Sequence, residues 1–284
     1  MITVLEALNL STDYLSKKNI ESARLNAELM LAHILKCKRL ELYLMFDRPL
    51  DDDELQQYRT FLARRAQREP LQYILGEVEF FNIKLKVNRN VLIPRPETEL
   101  LVEKIIDDFK NKQSFRFLDI GVGSGNISIA LLKNINQAEA FALDISEEAL
   151  SLAKENSELN EVQERINLIK FDILKDNIET LGKFDLIISN PPYVSAKDYE
   201  TLEPELKVYE PKIALTDLYN GFTFYKKIIE LSLFLLNDNG KIYFEAGKDQ
   251  SEEIKNMMAE KGFVNIGSIK DYQGIERIIY GELK

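Results

Sequence analysis

The chain of 284 residues has one cysteine, one histidine and no tryptophan. Its single cysteine, Cys37, can form neither an intrachain disulfide nor a cysteine metal cluster. Its single histidine, His33, excludes a histidine-rich metal site, and its place in a helical segment argues against a Ser-His-Asp triad. No run of 18 apolar residues is present, and residues 1–10 lack the basic and apolar regions of a signal peptide. The default expectation is a cytoplasmic enzyme without a metal or a membrane span.

The sequence also lacks an excess of basic residues. Lysine and arginine number 37 against 47 aspartates and glutamates, for a net charge of −10. A non-specific grip on nucleic acid needs a basic surface, so we expect no direct nucleic-acid binding. The hydrophobic content of 45% and the charged content of 30% are typical of a globular protein. At this length the chain can form one large domain or two modest ones.

The first quarter of the sequence is typical of a helical bundle. Residues 3–68 predict helices with short breaks. The first has Leu8 and Leu15 on one face, and the second has an apolar stripe of Leu25, Leu29, Ala32 and Leu35. Asp51 starts a further helix, with Glu54 three residues on as in a capping box. A bundle of this size is marginal on its own. We therefore interpret residues 1–75 as a substrate-docking domain attached to a larger one.

A connector follows at residues 76–95. Residues 78–81 and 83–87 predict a β-hairpin that turns at Asn82. Pro94 and Pro96 then fix an extended entry, and a helix is expected to begin at Pro96 or Glu97 and to run to Phe109. The exposed side chains of this rigid segment either form a solvated face or cover a site.

The remaining residues, 96–284, alternate between strand and helix. Strands are predicted at 116–120, 140–144, 166–171, 184–189, 241–245, 264–269 and 278–280, and helices at 127–134, 147–159, 222–236 and 250–261. This alternation predicts an α/β domain with a doubly wound, mostly parallel sheet of seven strands. Right-handed crossovers place the carboxyl ends of the parallel strands at one edge, where ligands bind.

A glycine-rich loop follows the first of these strands. It comprises Gly121, Val122, Gly123, Ser124 and Gly125, and glycines at alternate positions let the backbone approach a ligand closely. Asp144 ends the second strand, where an acid accepts hydrogen bonds from ribose hydroxyls. Asp119 stands just before the loop, and an acid there repels phosphate but suits a cationic ligand. These features favour S-adenosylmethionine over a nicotinamide dinucleotide.

The adenine end of that ligand has weaker candidates. Asp172 follows the third strand and either accepts from the adenine amino group or simply caps a local turn. Ile173 is placed to pack on the ring, with Phe171 as a substitute if the strand turns it inward.

The fourth strand ends in Asn190-Pro191-Pro192-Tyr193. Two consecutive prolines cannot donate to a sheet ladder, so the strand stops there and Asn190 lies at the ligand edge. The Asn190 side-chain oxygen and the Pro191 carbonyl can each accept an N–H of a target NH2 group, while Tyr193 packs beside a planar target. We therefore assign Asn190, Pro191 and Tyr193 as catalytic residues and 190–193 as the substrate-binding segment, with Asn190 also near the cofactor.

These motifs resemble class I S-adenosylmethionine-dependent methyltransferases that modify NH2 nitrogens. Four further segments narrow the resemblance to the HemK/PrmC family, the peptide-chain release factor glutamine N5-methyltransferases. They are Glu69-Pro70-Leu71-Gln72-Tyr73-Ile74, Ile93-Pro94-Arg95-Pro96-Glu97-Thr98-Glu99, Tyr209-Glu210-Pro211 with Ala214-Leu215, and Gly274-Ile275-Glu276-Arg277. The likeness covers essentially the whole chain.

The resemblance implies a substrate and a product. The substrate is the glutamine side chain in the Gly-Gly-Gln loop of bacterial-type release factors, and the products are N5-methylglutamine and S-adenosylhomocysteine. The resemblance also implies that Gly121–Gly125, Asp144 and Asn190 contact the cofactor. One departure is visible, since some family members carry an aromatic residue at the position of Ile173.

Other classes fit less well. A DNA or RNA amino methyltransferase shares the Asn-Pro-Pro-Tyr motif but needs a basic groove or a target-recognition domain. An adaptor that keeps the fold without catalysis has no need of the glycine loop and the Asn-Pro-Pro-Tyr motif together. A nicotinamide dehydrogenase needs room for a diphosphate where Asp119 stands.

Overall fold

A computed structural model describes residues 2–178 and 181–284. The chain divides into two compact units. The first comprises Met1–Glu77 and Pro204–Tyr209, and the second comprises Val78–Glu203 and Glu210–Lys284.

The first unit is helical. Its elements are α1 (Val4–Lys17), α2 (Ala23–Ile34), a 3₁₀ helix (Arg39–Leu44), α3 (Asp52–Ala66), α4 (Leu71–Leu75) and α9 (Pro204–Tyr209). The predicted capping box at the start of α3 is confirmed, because the Asp51 side chain accepts from the Glu54 backbone N–H and the Glu54 side chain accepts from that of Asp51. A similar box of Thr3 and Glu6 begins α1. Two backbone donors at each helix start are thereby satisfied.

The predicted apolar face of α2 is only partly buried, with Ala32 in the core and Leu35 packed against it. Leu25 is 43% exposed, and the buried positions instead include Ala27, Met30 and the carboxylate of Glu28. Glu28 accepts hydrogen bonds from Arg24, Arg39 and Tyr43 at 2.7 to 2.8 Å. Because three donors compensate the buried carboxylate, the helix face that carries Glu28 can be buried instead of the face that carries Leu25. Apolar periodicity alone does not predict this.

Arg65 joins α9 to the rest of the first unit. It is 7% exposed and donates to the Asn26 side chain, the Glu69 carbonyl and the Glu205 carboxylate. The Tyr209 hydroxyl also donates to the Gln67 carbonyl at 2.8 Å. These bonds explain why a segment from late in the chain groups with the amino-terminal helices.

The second unit contains the hairpin and the large sheet. The strands are β1 (Glu77–Phe80), β2 (Ile83–Lys86), β3 (Phe115–Ile120), β4 (Ala138–Asp144), β5 (Ile166–Lys170), β6 (Phe184–Ser189), β7 (Leu236–Glu245), β8 (Phe263–Lys270) and β9 (Glu276–Leu283). The helices are α5 (Pro96–Phe109), α6 (Asn126–Asn134), α7 (Glu147–Leu159), α8 (Ala196–Tyr199), α10 (Lys212–Leu215), α11 (Thr223–Leu235) and α12 (Ser251–Glu260), with a 3₁₀ helix at Gln163–Arg165.

The sheet has seven strands in the order β5-β4-β3-β6-β7-β9-β8. Pairing is parallel from β5 to β7 and antiparallel on both sides of β9. The predicted doubly wound, mostly parallel fold is therefore confirmed. Two apolar cores cover its faces, one including Phe117, Ile129 and Ile188 and the other including Leu118, Phe184 and Ile228.

β7 begins five residues earlier than predicted. β7 starts at Leu236 rather than at residue 241, since Leu236 pairs with Phe184 across a register shift before regular pairing resumes at Lys241. The intervening Asn-Asp-Asn-Gly is typical of a turn, and Asn239 indeed has a φ of 60°. The sequence pattern marks this interruption but not the pairing that precedes it.

Candidate active site

Sheet register places four functional positions in one row. Ile120 of β3 pairs with Leu143 of β4 and with Ser189 of β6, and Ser189 pairs with Phe244 of β7. The residues that follow these four are Gly121, Asp144, Asn190 and Glu245. The carboxyl edge of the sheet thus brings the glycine loop, the acid and the Asn-Pro-Pro-Tyr motif together, as the parallel topology requires.

The glycine loop is open towards a cavity. Gly121 and Gly123 have φ values of 83° and 52°, and a Cβ atom on either would meet nothing within 4 Å. Gly125 differs, because a Cβ there would lie 2.8 Å from the Ile129 side chain. The first two glycines leave room for a ligand, and the third allows α6 to begin close to the loop.

Asp144 is tied to the glycine loop. One carboxylate oxygen accepts from the Gly123 N–H and the other from the Ser146 N–H, both at 3.0 Å. Burial raises the pKa of Asp144, while these two hydrogen bonds lower it. Each oxygen keeps a further lone pair for a hydroxyl donor at the cavity wall.

Asp119 lies directly behind the loop with 1% of its surface exposed. Its Oδ2 accepts from the Ser128 hydroxyl at 2.6 Å, whereas its Oδ1 has no partner among the described residues. Burial, and then the charge of Asp144, raise the pKa of Asp119 to about 6 against the opposing Ser128 hydrogen bond. Ser124 Oγ is the other buried polar side-chain atom without a partner in the described part of the chain. A paired set of carboxylates with an unsatisfied oxygen fits a cationic ligand and repels a phosphate.

A cavity of about 310 Å³ opens at this edge. The predicted residues that line it are Gly121, Val122, Gly123, Ser124, Asp144, Asp172, Ile173, Asn190, Pro191 and Pro192. Among the described residues, the lining includes neither Gly125 nor Tyr193. The cavity falls at the small end of the range for ligand pockets and is mostly apolar.

Asp172 and Ile173 form part of the cavity wall. Asp172 accepts from the Leu174 N–H at 3.0 Å and its carboxylate lies 3.0 Å from the Lys175 ammonium. This carboxylate therefore caps a local turn, and its predicted contact with adenine stays a prediction. Phe171 also lines the cavity beside Ile173, so strand alternation does not turn it away.

Asn190 presents its amide to the same cavity. Its Nδ2 donates to Thr98 Oγ1 at 3.5 Å, and the Thr98 hydroxyl donates to the Glu245 carboxylate at 2.5 Å. No described donor bonds to the Asn190 side-chain oxygen or the Pro191 carbonyl. Both acceptors belong to residues that line the cavity beside the glycine loop.

The backbone after Asn190 is held on one side by Gln250. Its side-chain amide donates to the Tyr193 carbonyl at 3.0 Å and accepts from the Gly247 N–H at 2.9 Å. Gly221 has a φ of 84°, and a Cβ atom there would lie 2.4 Å from the Tyr193 carbonyl oxygen. The Tyr193 ring packs against the second apolar core, and its burial raises its pKa to about 12. Its predicted contact with substrate stays a prediction.

Several residues of this site have no sequence signal of their own. Thr98 and Glu245 lie behind Asn190, and Gln250 and Gly221 lie behind Tyr193. Arg95 lines the cavity and bonds to the buried Glu210 carboxylate at 2.5 Å. Arg95 and Glu210 lie in two of the segments on which the family resemblance rests. That resemblance is the sequence feature that pointed to these two residues.

The fold and the site define a class I methyltransferase. The same fold is found in a methyltransferase from Pyrococcus furiosus, with a TM-score of 0.52 at 22% identity over 71% of this chain and 89% of that one. The PrmC N-terminal domain matches residues 6–76, and the methyltransferase small domain matches residues 96–205.

Two relatives identify the family. A release factor glutamine methyltransferase of Fusobacterium nucleatum is 39% identical over 97% of this chain and 77% of its own length. Another, of Geobacter sulfurreducens, is 38% identical over 99% of this chain and 97% of its own length. The chain belongs to the release factor glutamine methyltransferase family. Family and fold imply the use of S-adenosylmethionine.

No group of three or more histidine, cysteine, aspartate or glutamate side chains in the described ranges is placed to hold a metal ion. Likewise, no helix among residues 2–178 and 181–284 has the length and apolarity to cross a membrane.

Proposed function

We propose that this protein transfers a methyl group from S-adenosylmethionine to the side-chain nitrogen N5 of a glutamine, in the Gly-Gly-Gln loop of peptide-chain release factors. The observation that carries the proposal is the pair of acceptors, Asn190 Oδ1 and the Pro191 carbonyl, at a cavity shared with the glycine loop. The family of the chain supports the choice of release factors as the substrate.

The residues at the loop suit the methyl donor. Gly121–Gly125 would hold its methionine part, the orphaned oxygen of Asp119 would face its positive charge, and Asp144 would accept from its ribose hydroxyls. Ile173 and Phe171 would pack on the adenine ring, with Asp172 near its amino group. When bound, S-adenosylmethionine supplies an electrophilic methyl group on a positively charged sulfur.

The acceptor pair addresses the difficulty of the reaction. An amide nitrogen is a poor nucleophile, because the delocalised lone pair that gives a peptide bond its barrier of about 18–20 kcal/mol is withdrawn from attack. Two N–H bonds donated to Asn190 Oδ1 and the Pro191 carbonyl would turn that lone pair towards the methyl carbon. They would also stabilise the positive charge that develops on nitrogen, and fixed dipoles of this kind contribute about 3 kcal/mol each.

The balance of the step needs no metal. A carbon–nitrogen bond forms as the carbon–sulfur bond breaks, and the nitrogen then loses one proton to give N5-methylglutamine. Pro192 and Tyr193 would support the planar amide from the side. The Pro191 carbonyl and the Asn190 oxygen accept hydrogen bonds and carry no titrating proton of their own.

We further propose the division of labour along the chain. Residues 1–75 would dock the release factor, residues 76–95 would connect, and residues 96–284 would bind S-adenosylmethionine and carry out the transfer. A substrate that works in translation supports a cytoplasmic location, which is part of the same proposal.

The test is methyl transfer from labelled S-adenosylmethionine to a purified release factor. Its matched control is the same factor with Gln→Ala in the Gly-Gly-Gln loop. We expect label on the first and none on the second, with the methyl group located on the glutamine side chain by peptide mass spectrometry. Transfer to DNA or RNA with none to the release factor would overturn the proposal.

A further inference from the structure

A buried hydrogen-bonded pair lies behind Asn190, on the side away from the acceptors. Thr98 is 1% exposed, in the first turn of α5, and Glu245 is 2% exposed, at the end of β7. Thr98 lines the cavity, whereas Glu245 does not. Glu245 therefore meets Asn190 from inside the protein and has no direct access to a substrate.

The chemistry of a carboxylate fixes the direction of these hydrogen bonds. An ionised carboxylate only accepts, so the Thr98 hydroxyl must spend its one proton on Glu245. Thr98 Oγ1 is then an acceptor towards Asn190, and only the NH2 end of the Asn190 amide can satisfy it. The oxygen end is consequently turned to the cavity, as the proposed reaction requires.

We propose that Thr98 and Glu245 are positioning residues that set the orientation of the Asn190 carboxamide for catalysis. This inference rests on the proposed function. A carboxamide has two nearly isosteric ends, and with its ends exchanged it would offer a donor to the donor groups of the substrate. A lone threonine can donate or accept and so does not choose between the two orientations. The buried Glu245 carboxylate fixes the orientation, because it makes Thr98 an acceptor towards Asn190.

The surroundings of Glu245 hold its pKa near neutral pH, so the direction of the Glu245–Thr98 hydrogen bond depends on pH. Burial raises the pKa of Glu245 to about 7, while the Thr98 hydrogen bond, the charge of Arg277 on β9 and a hydrogen bond from the Asn190 side chain lower it. Glu97 on α5 raises it further. The Tyr225 hydroxyl from α11 bonds to the Glu245 backbone carbonyl at 2.8 Å, and Tyr193 faces the same carboxylate. Once protonated, Glu245 can donate to Thr98, and the fixed direction of the chain of bonds is lost.

Three variants test the assignment. Thr98→Val keeps the volume and removes the hydroxyl, Glu245→Gln keeps the shape and removes the obligatory acceptor, and Thr98→Ser keeps the hydroxyl. Ser157→Ala is the matched control, because that hydroxyl is also buried but bonds to the Lys154 carbonyl and does not line the cavity. Each is assayed for kcat, for the KM of the release factor and for the dissociation constant of S-adenosylmethionine.

We expect Thr98→Val and Glu245→Gln to lower kcat by about 10-fold to 100-fold, the range that misplacement of a reacting group produces. Both KM and the dissociation constant should stay within about threefold of the starting protein, since the Thr98 hydroxyl already bonds to Glu245 and Asn190, and Glu245 does not line the cavity. Thr98→Ser should restore kcat, and Ser157→Ala should leave it unchanged. At saturating substrates, kcat of the unaltered enzyme should fall below pH about 7, and Glu245→Gln should flatten this fall.

A double-mutant cycle separates positioning from folding. In an Asn190→Ala background, Thr98→Val should cause no further loss of the residual rate, because there is no longer an amide to orient. Additive losses, or equal losses in kcat and in S-adenosylmethionine binding, would overturn the assignment while leaving the proposed function intact. Absence of transfer by the unaltered enzyme would instead overturn the proposed function.

Discussion

Asp119 offers a direct test of the electrostatics of the glycine loop. Its pKa is raised from 3.8 to about 6, first by burial and then by the charge of Asp144, with the Ser128 hydrogen bond opposing both. A shift of about two units corresponds to about 3 kcal/mol, at 1.36 kcal/mol per unit. The folded protein therefore keeps a proton on Asp119 between pH about 4 and 6, where the unfolded chain has lost it.

The sign of the effect follows from this difference in bound protons. Where the folded state holds more protons, the free energy of unfolding falls as the pH rises. The stability that Asp119 gives is thus fully present below pH about 4 and is lost as the pH rises through 6. Asp119→Asn removes this titration. Between pH 4 and 7, the stability of the variant relative to the starting protein should improve by about 3 kcal/mol.

Urea unfolding followed by circular dichroism, without ligand, measures this difference at each pH. Any fixed cost of the new amide cancels, because only the change with pH is compared. Glu164→Gln at an exposed position is the control for loss of one negative charge, and its relative stability should be flat across the same range. A difference between Asp119→Asn and the starting protein that does not vary with pH would refute the buried-charge reasoning. The same variant should also bind S-adenosylmethionine more weakly by calorimetry, because it removes the negative charge behind the glycine loop, although Asp119 does not itself line the cavity.

Three further outcomes follow from the site. Asn190→Ala should lower kcat by about 10²- to 10³-fold in the methyl-transfer assay, the loss of one fixed acceptor, and near-normal turnover would contradict its role. Asp144→Ala should weaken S-adenosylmethionine binding in calorimetry by at least about tenfold, whereas an unchanged dissociation constant would remove it from the ribose site. Gly221→Ala should lower both the melting temperature and kcat, because its Cβ would lie 2.4 Å from the Tyr193 carbonyl oxygen. Gly262→Ala is its control, since that glycine also has a positive φ but an open surrounding, and it should affect kcat little.

The parallel core of the second unit could be predicted from sequence because each element has a local cause. The strand of residues 184–189 and the helix of residues 147–159 have the predicted bounds, and α5 begins at Pro96 and ends at Phe109 as expected. Proline, the helix cap of Ser146 and buried apolar runs each fix the local structure, and each is recognisable from a few neighbouring residues. Errors concentrate where a distant partner decides the outcome, as at Leu236, which pairs with Phe184.

The site divides in the same way. The glycine loop, Asp144 and Asn190 stand out because each departs from what an ordinary strand end would carry. Thr98 and Glu245 do not, since a threonine in a first helical turn and a glutamate at a strand end are unremarkable by themselves. Only the pairing of β6 with β7 brings Glu245 beside Asn190, and that register is a property of the folded sheet. Gln250 is hidden for the same reason, because its amide matters only once α12 lies beside Tyr193.

Two buried acids at the carboxyl edge of the sheet lower the folding stability at positions that the proposed reaction uses. Asp119 and Glu245 both have raised pKa values because burial disfavours their charge. Ionisation of each acid therefore costs folding free energy, and this cost is fully present above pH about 7. Asp119 lies behind the glycine loop, which suits a cationic ligand. Glu245 orients the Asn190 amide, to which we assign the binding of the substrate. Each of these two charges costs folding free energy, and each lies where the proposed reaction needs a fixed negative charge.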